Sequence, residues 1–228
     1  MDFFKKIWIT GSTSIVVTIL AFVNNIIVTR ALGPEGRGIY AVISNLILLL
    51  MLVFGEGIRR SNVILIGRKK DATRQLLTFT LKYSAVLIII FIFILLIKPV
   101  YDSLLPNIST LLLVLGFAVA FFTILWQAVQ AISLGQQKII DYNVMLFTQI
   151  AIVLIINILG VLLFNFSVGE FITSLLVSAC LTLLIGVIRL KDKRNDFNTD
   201  YKINSSEVFS ISLKSTSASI LMFLTLRG

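Results

Sequence analysis

The sequence predicts an all-α polytopic membrane protein with six transmembrane helices and the start of a seventh. Of its 228 residues, 57% are hydrophobic and only 14% are charged, with a mean hydropathy of +1.00. In soluble domains about a quarter of all residues are charged. Intervals without any charged residue cover 7–29, 38–55, 83–97, 103–137, 142–169 and 171–188. A bilayer crossing needs about 20 mostly apolar residues, and most of these intervals reach that length.

The intervals and their flanks define six expected spans. They lie at about residues 7–32, 37–57, 76–98, 108–134, 142–164 and 170–190. The first is too long, and too little marked by a small-residue cleavage site, to be a removed signal peptide. The third has a short uncharged interval, but its apolar flank extends back to Leu76, and Lys82 can snorkel to the interface.

The connection between the first two spans has a defined backbone chemistry. Gly33 can take the left-handed conformation that ends a helix, and Pro34 cannot continue one. Gly36 and Gly38 are expected to let the chain turn sharply, with a helix restarting by Ile39. The pattern predicts a tight helical hairpin at the membrane surface.

Several spans carry polar groups in otherwise apolar surroundings. The second ends with Glu56 beside glycines and is followed by the basic pair Arg59 and Arg60. The amides are Asn24 and Asn25 in the first span, Gln127 and Gln130 in the fourth, and Gln149 and Asn157 in the fifth. Spacings of three and eight residues place each of the last two pairs on one helix face.

The chain changes character after the sixth span. Residues 191–206 form a polar linker, and residues 207–228 begin a new apolar run that is too short to complete a seventh span. Ser12-Thr13-Ser14 early in span one recurs as Ser215-Thr216-Ser217 early in span seven. An even number of spans would start a second copy in the same orientation, as a parallel repeat. We therefore expect this chain to be a fragment of a longer protein.

The basic residues predict the orientation of the chain, because short loops rich in Lys and Arg remain cytoplasmic. Alternating assignment of the loops puts 16 of the 20 basic residues on the side of the N-terminus and of the linker. That side is expected to be cytoplasmic. The net charge of +9 thus indicates membrane topology and not a nucleic-acid partner.

The residue inventory argues against an enzyme. The sequence has no histidine, which removes the commonest general base and metal ligand, and Cys180 is its one cysteine. A glycan polymerase or ligase would need a large external loop carrying acids, bases or histidine, and the expected external loops are short. We expect no catalytic residue, no metal and no cofactor.

The stretch around the hairpin resembles the signature of a known family. Arg30-x-Leu32-Gly33-Pro34-Glu35-Gly36-x-Gly38-x-Tyr40-Ala41 after a first span is similar to the Wzx-type bacterial polysaccharide flippases. These form the polysaccharide-biosynthesis branch of the multidrug/oligosaccharidyl-lipid/polysaccharide exporter superfamily. Family members have two six-span lobes in a MATE-like arrangement, and this chain resembles the N-terminal lobe.

The resemblance implies a function in the bacterial cytoplasmic (inner) membrane. Such proteins flip a polyprenyl-pyrophosphate-linked oligosaccharide to the outer leaflet for assembly of O-antigen, capsule or exopolysaccharide. The implied partners are the phospholipid bilayer, the lipid-linked glycan, the missing C-terminal lobe and other glycan-assembly membrane proteins. The alternatives are a drug or cation antiporter of the same superfamily, and a truncated chain that is non-functional or depends on a partner.

Each candidate residue also has a structural interpretation. Arg30 either binds pyrophosphate or snorkels at the interface. Glu56, Arg59 and Arg60 form either an inner gate or ion-linked pair, or an interfacial salt bridge. The six amides listed above either line a sugar-binding cavity or hydrogen-bond neighbouring helices. Gly33, Pro34, Gly36 and Gly38 are structural under both interpretations.

Overall fold

The computed structural model describes residues 3–68, 73–96, 108–191 and 205–227. The helices of these ranges are α1 (Phe3–Leu50), α2 (Glu56–Arg68), α3 (Thr73–Leu96), α4 (Thr110–Gly135), α5 (Ile139–Phe164), α6 (Val168–Lys191) and α7 (Ser205–Arg227). A π-helical turn, Met51–Gly55, joins α1 to α2. Residues 69–72 and 97–107, which fall at or between the ends of predicted spans, and residues 192–204 of the predicted linker lie outside the described residues.

Helix α1 is broken at Gly33, where φ is 64° and ψ is −175°. Only glycine adopts this region readily, so the residue separates two arms, 3–32 and 34–50. Pro34 can begin the second arm because the first position of a helix needs no backbone N–H. The predicted turn at Gly36 and Gly38 is wrong, because both residues lie in helical backbone. Among the described glycines, only Gly33 has a positive φ.

The two arms run in opposite directions along α5. In the first arm, Ser12 shares a groove with Asn143 near the start of α5, and Asn24 bonds to Asn157 near its end. After Gly33 the chain returns, so that Glu56 shares a cleft with Tyr142, again near the start of α5. The two arms and α2 therefore form a helical hairpin, and its turn lies near the C-terminal end of α5.

Five continuous helical stretches among the described residues are long and apolar enough to cross a membrane. They are Trp8–Arg68, Thr73–Leu96, Thr110–Gly135, Ile139–Phe164 and Val168–Leu190, and a shorter apolar helix covers Val208–Met222. The first of the five contains the break at Gly33 and runs along the bundle twice, over 3–32 and then over 34–68, so the five described stretches make six passes. The second pass was expected to end near residue 57, but its helix continues through α2 to Arg68.

The interior consists of two hydrophobic clusters, one toward each end of the bundle. At the end of the hairpin turn, Tyr40 packs edge-on against Phe171 with ring centroids 6.5 Å apart. At the other end, Ile66, Ile132 and Met145 are completely buried. Around both clusters, large apolar side chains are exposed, including Trp8 at 76% and Ile89 at 67%. Exposed apolar surface of this extent suits contact with lipid.

Candidate functional site

A cleft of about 290 Å³ opens between the second pass, α4 and α5. Its lining residues are Leu48, Met51, Leu52, Glu56, Arg59, Trp126, Gln127, Gln130, Tyr142 and Leu146. Four of the residues selected from the sequence, Glu56, Arg59, Gln127 and Gln130, meet here. The cleft is therefore the place where polar groups of three different spans converge.

Glu56 is the centre of an ion-pair triad at the start of α2. Its carboxylate accepts two hydrogen bonds from Arg59, Nε to Oε2 and Nη2 to Oε1, both of 2.8 Å. Arg60 Nε donates to the same Oε1 at 2.6 Å. Two guanidinium groups on one carboxylate leave the triad with a net positive charge. Glu56 and Arg59 line the cleft, and Arg60 lies outside its lining.

Helix α4 contributes the amides of the cleft. Gln130 is 4% exposed, and its Nε2 donates to the carbonyl oxygen of Tyr142 at 3.4 Å, so it ties α4 to α5. Gln127 is half-buried and lines the cleft one turn earlier. Trp126 is 3% exposed, and its indole Nε1 has no hydrogen-bond partner in the described part of the chain. Buried polar groups normally have partners, so the Trp126 indole N–H is an unsatisfied donor beside the cleft.

The π-helical turn forms one wall of the cleft through Met51 and Leu52. A π turn places an extra residue in the helical ladder, and such turns are frequent at functional sites. Tyr83 of α3 donates its hydroxyl hydrogen to the carbonyl oxygen of Phe54 at 3.0 Å. This bond connects α3 to the distorted turn immediately before Glu56.

Asn24 and Asn157 lie away from the cleft and bind each other. Asn157 Nδ2 donates to Asn24 Oδ1 at 2.8 Å, and the two residues are 0% and 9% exposed. This bond fastens the first arm of α1 to α5. A buried amide pair between two apolar helices is a structural connection of the kind that membrane proteins use.

The other candidates are not brought together with the cleft. Asn25 is exposed on the first arm, and Gln149 is half-buried on α5. Arg30 is exposed close to Gly33, at the end of the bundle opposite to Glu56, and it forms no ion pair within the described ranges. Gly36 packs against α6, since a Cβ there would lie 3.5 Å from Val168 Cγ2, whereas Gly38 faces open space.

Sequence reasoning missed several buried polar residues. Asn62 is fully buried in α2, and its Nδ2 lies 3.4 Å from Thr80 Oγ1 and 3.3 Å from the Ala128 carbonyl oxygen. The expected second span ends near residue 57, before Arg59 and Arg60, which leaves Asn62 in the connection to the third span. Arg189 donates to Asp141 at 2.8 Å, joining α5 and α6. Their separation of 48 positions along the chain carries no periodic signal that could have paired them.

Comparison with known proteins gives a family and a fold. The family model described as "Polysaccharide biosynthesis protein" matches residues 3–227. A solved structure described as the outward-facing conformation of a multidrug resistance MATE family transporter of the MOP superfamily is similar, with a TM-score of 0.68 and 17% sequence identity. The similarity covers 97% of this chain and 52% of the transporter. Comparison with curated protein sequences finds no match.

These findings agree with the architecture described above. At 17% identity the solved transporter shows the fold alone, and this chain spans about half of its length. The predictions of an all-helical fold like one lobe of a MATE transporter and of the polysaccharide-biosynthesis family are confirmed. The chain belongs to the polysaccharide biosynthesis protein family and has the fold of one half of a MATE-type transporter.

Proposed function

We propose that this chain is the N-terminal lobe of a flippase in the bacterial cytoplasmic membrane. The cargo is an oligosaccharide linked to polyprenyl pyrophosphate, moved outward for assembly of O-antigen, capsule or exopolysaccharide. The observation that supports this most directly is the cleft, which is lined by the Glu56–Arg59 ion pair and two glutamines in a chain of the polysaccharide biosynthesis protein family.

The chemistry of the cleft suits an amphiphilic anion. A pyrophosphate cannot enter hydrocarbon unaided, because an unpaired buried charge is very costly. The guanidinium of Arg59 is held in place by Glu56 while the triad keeps a net positive charge, and arginine is well suited to phosphate oxygens. The amide of Gln127 can bond to sugar hydroxyls.

The organisation of the complete transporter is part of the proposal. Residues 1–190 form a six-span lobe, residues 191–206 a cytoplasmic linker, and the helix that follows begins the C-terminal lobe, which is a partner together with the bilayer and other glycan-assembly proteins. The basic residues favour a cytoplasmic N-terminus. Rocking of the two lobes would expose the cleft alternately to the two sides.

The proposal is tested with Arg59→Ala and Gln127→Leu in the protein as its host makes it. We expect Arg59→Ala to lower surface glycan by about tenfold, the effect of losing one charge-assisted hydrogen bond, and Gln127→Leu to lower it by about fivefold, the effect of losing one neutral hydrogen bond. Both variants should raise the amount of lipid-linked oligosaccharide in the membrane. Surface glycan is measured by immunoblot and the intermediate by mass spectrometry of extracted lipids.

Lys82→Ala is the matched control, since Lys82 is an exposed cation on α3 that does not line the cleft. Arg30→Ala tests whether Arg30 also binds pyrophosphate. If Arg30 does so, this variant should lower export without loss of protein. Normal export in both cleft variants, with normal protein amounts, would refute the proposed function.

A further inference from the structure

Phe54, inside the π-helical turn, is held by α3 at two points. The hydroxyl of Tyr83 donates to the Phe54 carbonyl oxygen at 3.0 Å. The Phe54 ring packs edge-on against Phe91, with ring centroids 6.0 Å apart. Tyr83 and Phe91 are eight positions apart and therefore lie on one face of α3. This face of α3 contacts both the backbone and the side chain of Phe54.

The π turn changes which residues of α2 face the cleft. The Glu56 N–H donates to the Met51 carbonyl oxygen, five positions earlier, whereas an α-helix pairs residues four positions apart. The turn therefore accommodates one extra residue. If the turn closed into an α-helix, α2 would rotate by about 100°, which is one residue of helix. Ile58 would then take the place of Arg59 at the cleft, and Gly55 would take the place of Glu56.

The packing of α2 outside the cleft depends on the same register. Gly57 lets α7 come close, because a Cβ there would lie 2.6 Å from the Ser212 carbonyl oxygen. In the α register, Glu56 would occupy that position. Asn62 would likewise leave its place beside the Ala128 carbonyl oxygen. The extra residue of the π turn therefore gives α2 a register in which the glycine meets α7 and the arginine meets the cleft.

We propose that Tyr83 is a positioning residue for the cleft. Its hydrogen bond to Phe54 stabilises the π turn, and the π turn keeps Arg59, and not Ile58, at the cleft. Tyr83 is not one of the residues that line the cleft, so it acts through the register of α2. The value of this register for binding a cargo rests on the proposed function, whereas the register itself does not.

The register is measured by disulfide crosslinking in the membrane, in the protein as its host makes it and in a Cys180→Ser background. One cysteine replaces Tyr142, which lines the cleft on α5, and the second replaces either Arg59 or Ile58. The pair with Arg59→Cys should crosslink readily and the pair with Ile58→Cys weakly. Tyr83→Phe should raise the weak crosslink by about fivefold, the population change expected from the loss of one neutral hydrogen bond.

Two variants separate this role from a general loss of packing. Tyr40→Phe removes the hydroxyl of another buried tyrosine, which lies in the second arm away from the π turn, and it should leave both crosslinks unchanged. Deletion of Val53 removes the extra residue, so the helix can continue as an α-helix with Arg59 still at the cleft. In that background Tyr83→Phe should no longer change the crosslinks.

An Ile58 crosslink that Tyr83→Phe does not raise would overturn the inference. An equal rise in the Val53 deletion would also overturn it, and so would a rise with Tyr40→Phe. The crosslinks require no cargo, so they are read independently of export. Normal export in the cleft variants Arg59→Ala and Gln127→Leu would refute the proposed function and leave the role of Tyr83 in the register standing.

Discussion

At the scale of single residues, amides in this chain act in two ways. Gln127 and Gln130 line the cleft beside the triad of Glu56. Asn24 and Asn157 bind each other and connect two helices. All four residues are amides in apolar segments, so their sequence context is the same. What separates the two pairs is the neighbour that the fold places beside each of them.

The Asn24–Asn157 bond predicts a particular pattern of stabilities. Asn157→Leu should destabilise the protein by about 1–3 kcal/mol, because Asn24 would remain buried without its partner. The double variant with Asn24→Leu should be less destabilised than the sum of the two single variants. Stability is measured by unfolding in mixed micelles of increasing dodecyl sulfate content.

Asn25→Leu is the control for that prediction, since Asn25 is the exposed neighbour of Asn24. We expect a change within about 0.5 kcal/mol. Additive effects of Asn24→Leu and Asn157→Leu would show that the two amides do not interact.

At the scale of elements, the second pass contains the features that organise the site. It begins after the break at Gly33, is distorted at Met51–Gly55, and continues in α2. One side of α2 directs Arg59 to the cleft, and another packs against α7 through Gly57 and Ser61. The second pass therefore connects the cleft with α7.

Substitution by alanine is expected to have different effects on stability at Gly33 and at Gly38. A Cβ at Gly33 would meet nothing within 4 Å, but φ of 64° with ψ of −175° is a conformation that costs other residues about 1–3 kcal/mol. Gly33→Ala should therefore lower the free energy of unfolding through backbone strain alone. Unfolding in dodecyl sulfate micelles measures the change.

Gly38→Ala is the matched variant, because Gly38 also has open space around it but lies in helical backbone. Alanine is favoured over glycine in a helix by about 0.5–1 kcal/mol. We expect this variant to be neutral or more stable than the parent chain. An equal loss in both variants would contradict the role assigned to the break.

At the scale of the whole molecule, the charged groups are sorted between the two ends of the bundle. Glu56, Arg59 and Arg60 lie at the end where α5 begins, and the ion pair of Asp141 with Arg189 lies there as well. Arg30 is near the hairpin turn at the opposite end. Because Arg59, Arg60 and Arg189 lie at the first end, that end is proposed to face the cytoplasm.

Cysteine labelling in intact cells tests this orientation. In a Cys180→Ser background, a cysteine at the exposed Glu35 position of the hairpin should react with a membrane-impermeant thiol reagent. A cysteine at the exposed Arg60 position should react only after the membrane is permeabilised. The reverse pattern would place the N-terminus outside. In the parent chain, Cys180 is partly buried in α6 and should remain unlabelled.

The sequence by itself determined the class of the protein, because hydrocarbon excludes charge and unpaired backbone. Long uncharged intervals therefore predict helices, and Gly33 with Pro34 marks a break between two of them. The sequence pattern was a less reliable guide to where the second pass ends. Arg59 and Arg60 indicated a boundary, yet the helix continues to Arg68 with Asn62 buried.

Only the tertiary structure decided which polar groups share a site. Glu56 and Gln127 meet in one cleft because α2 and α4 pack together, and Asn24 bonds to Asn157 across 133 positions of sequence. Periodicity reports which face of a helix is polar, but not which helix that face meets. Those neighbours depend on the packing of large and small side chains from distant spans, as at Gly57 and Thr216, and that packing is a property of the assembled bundle.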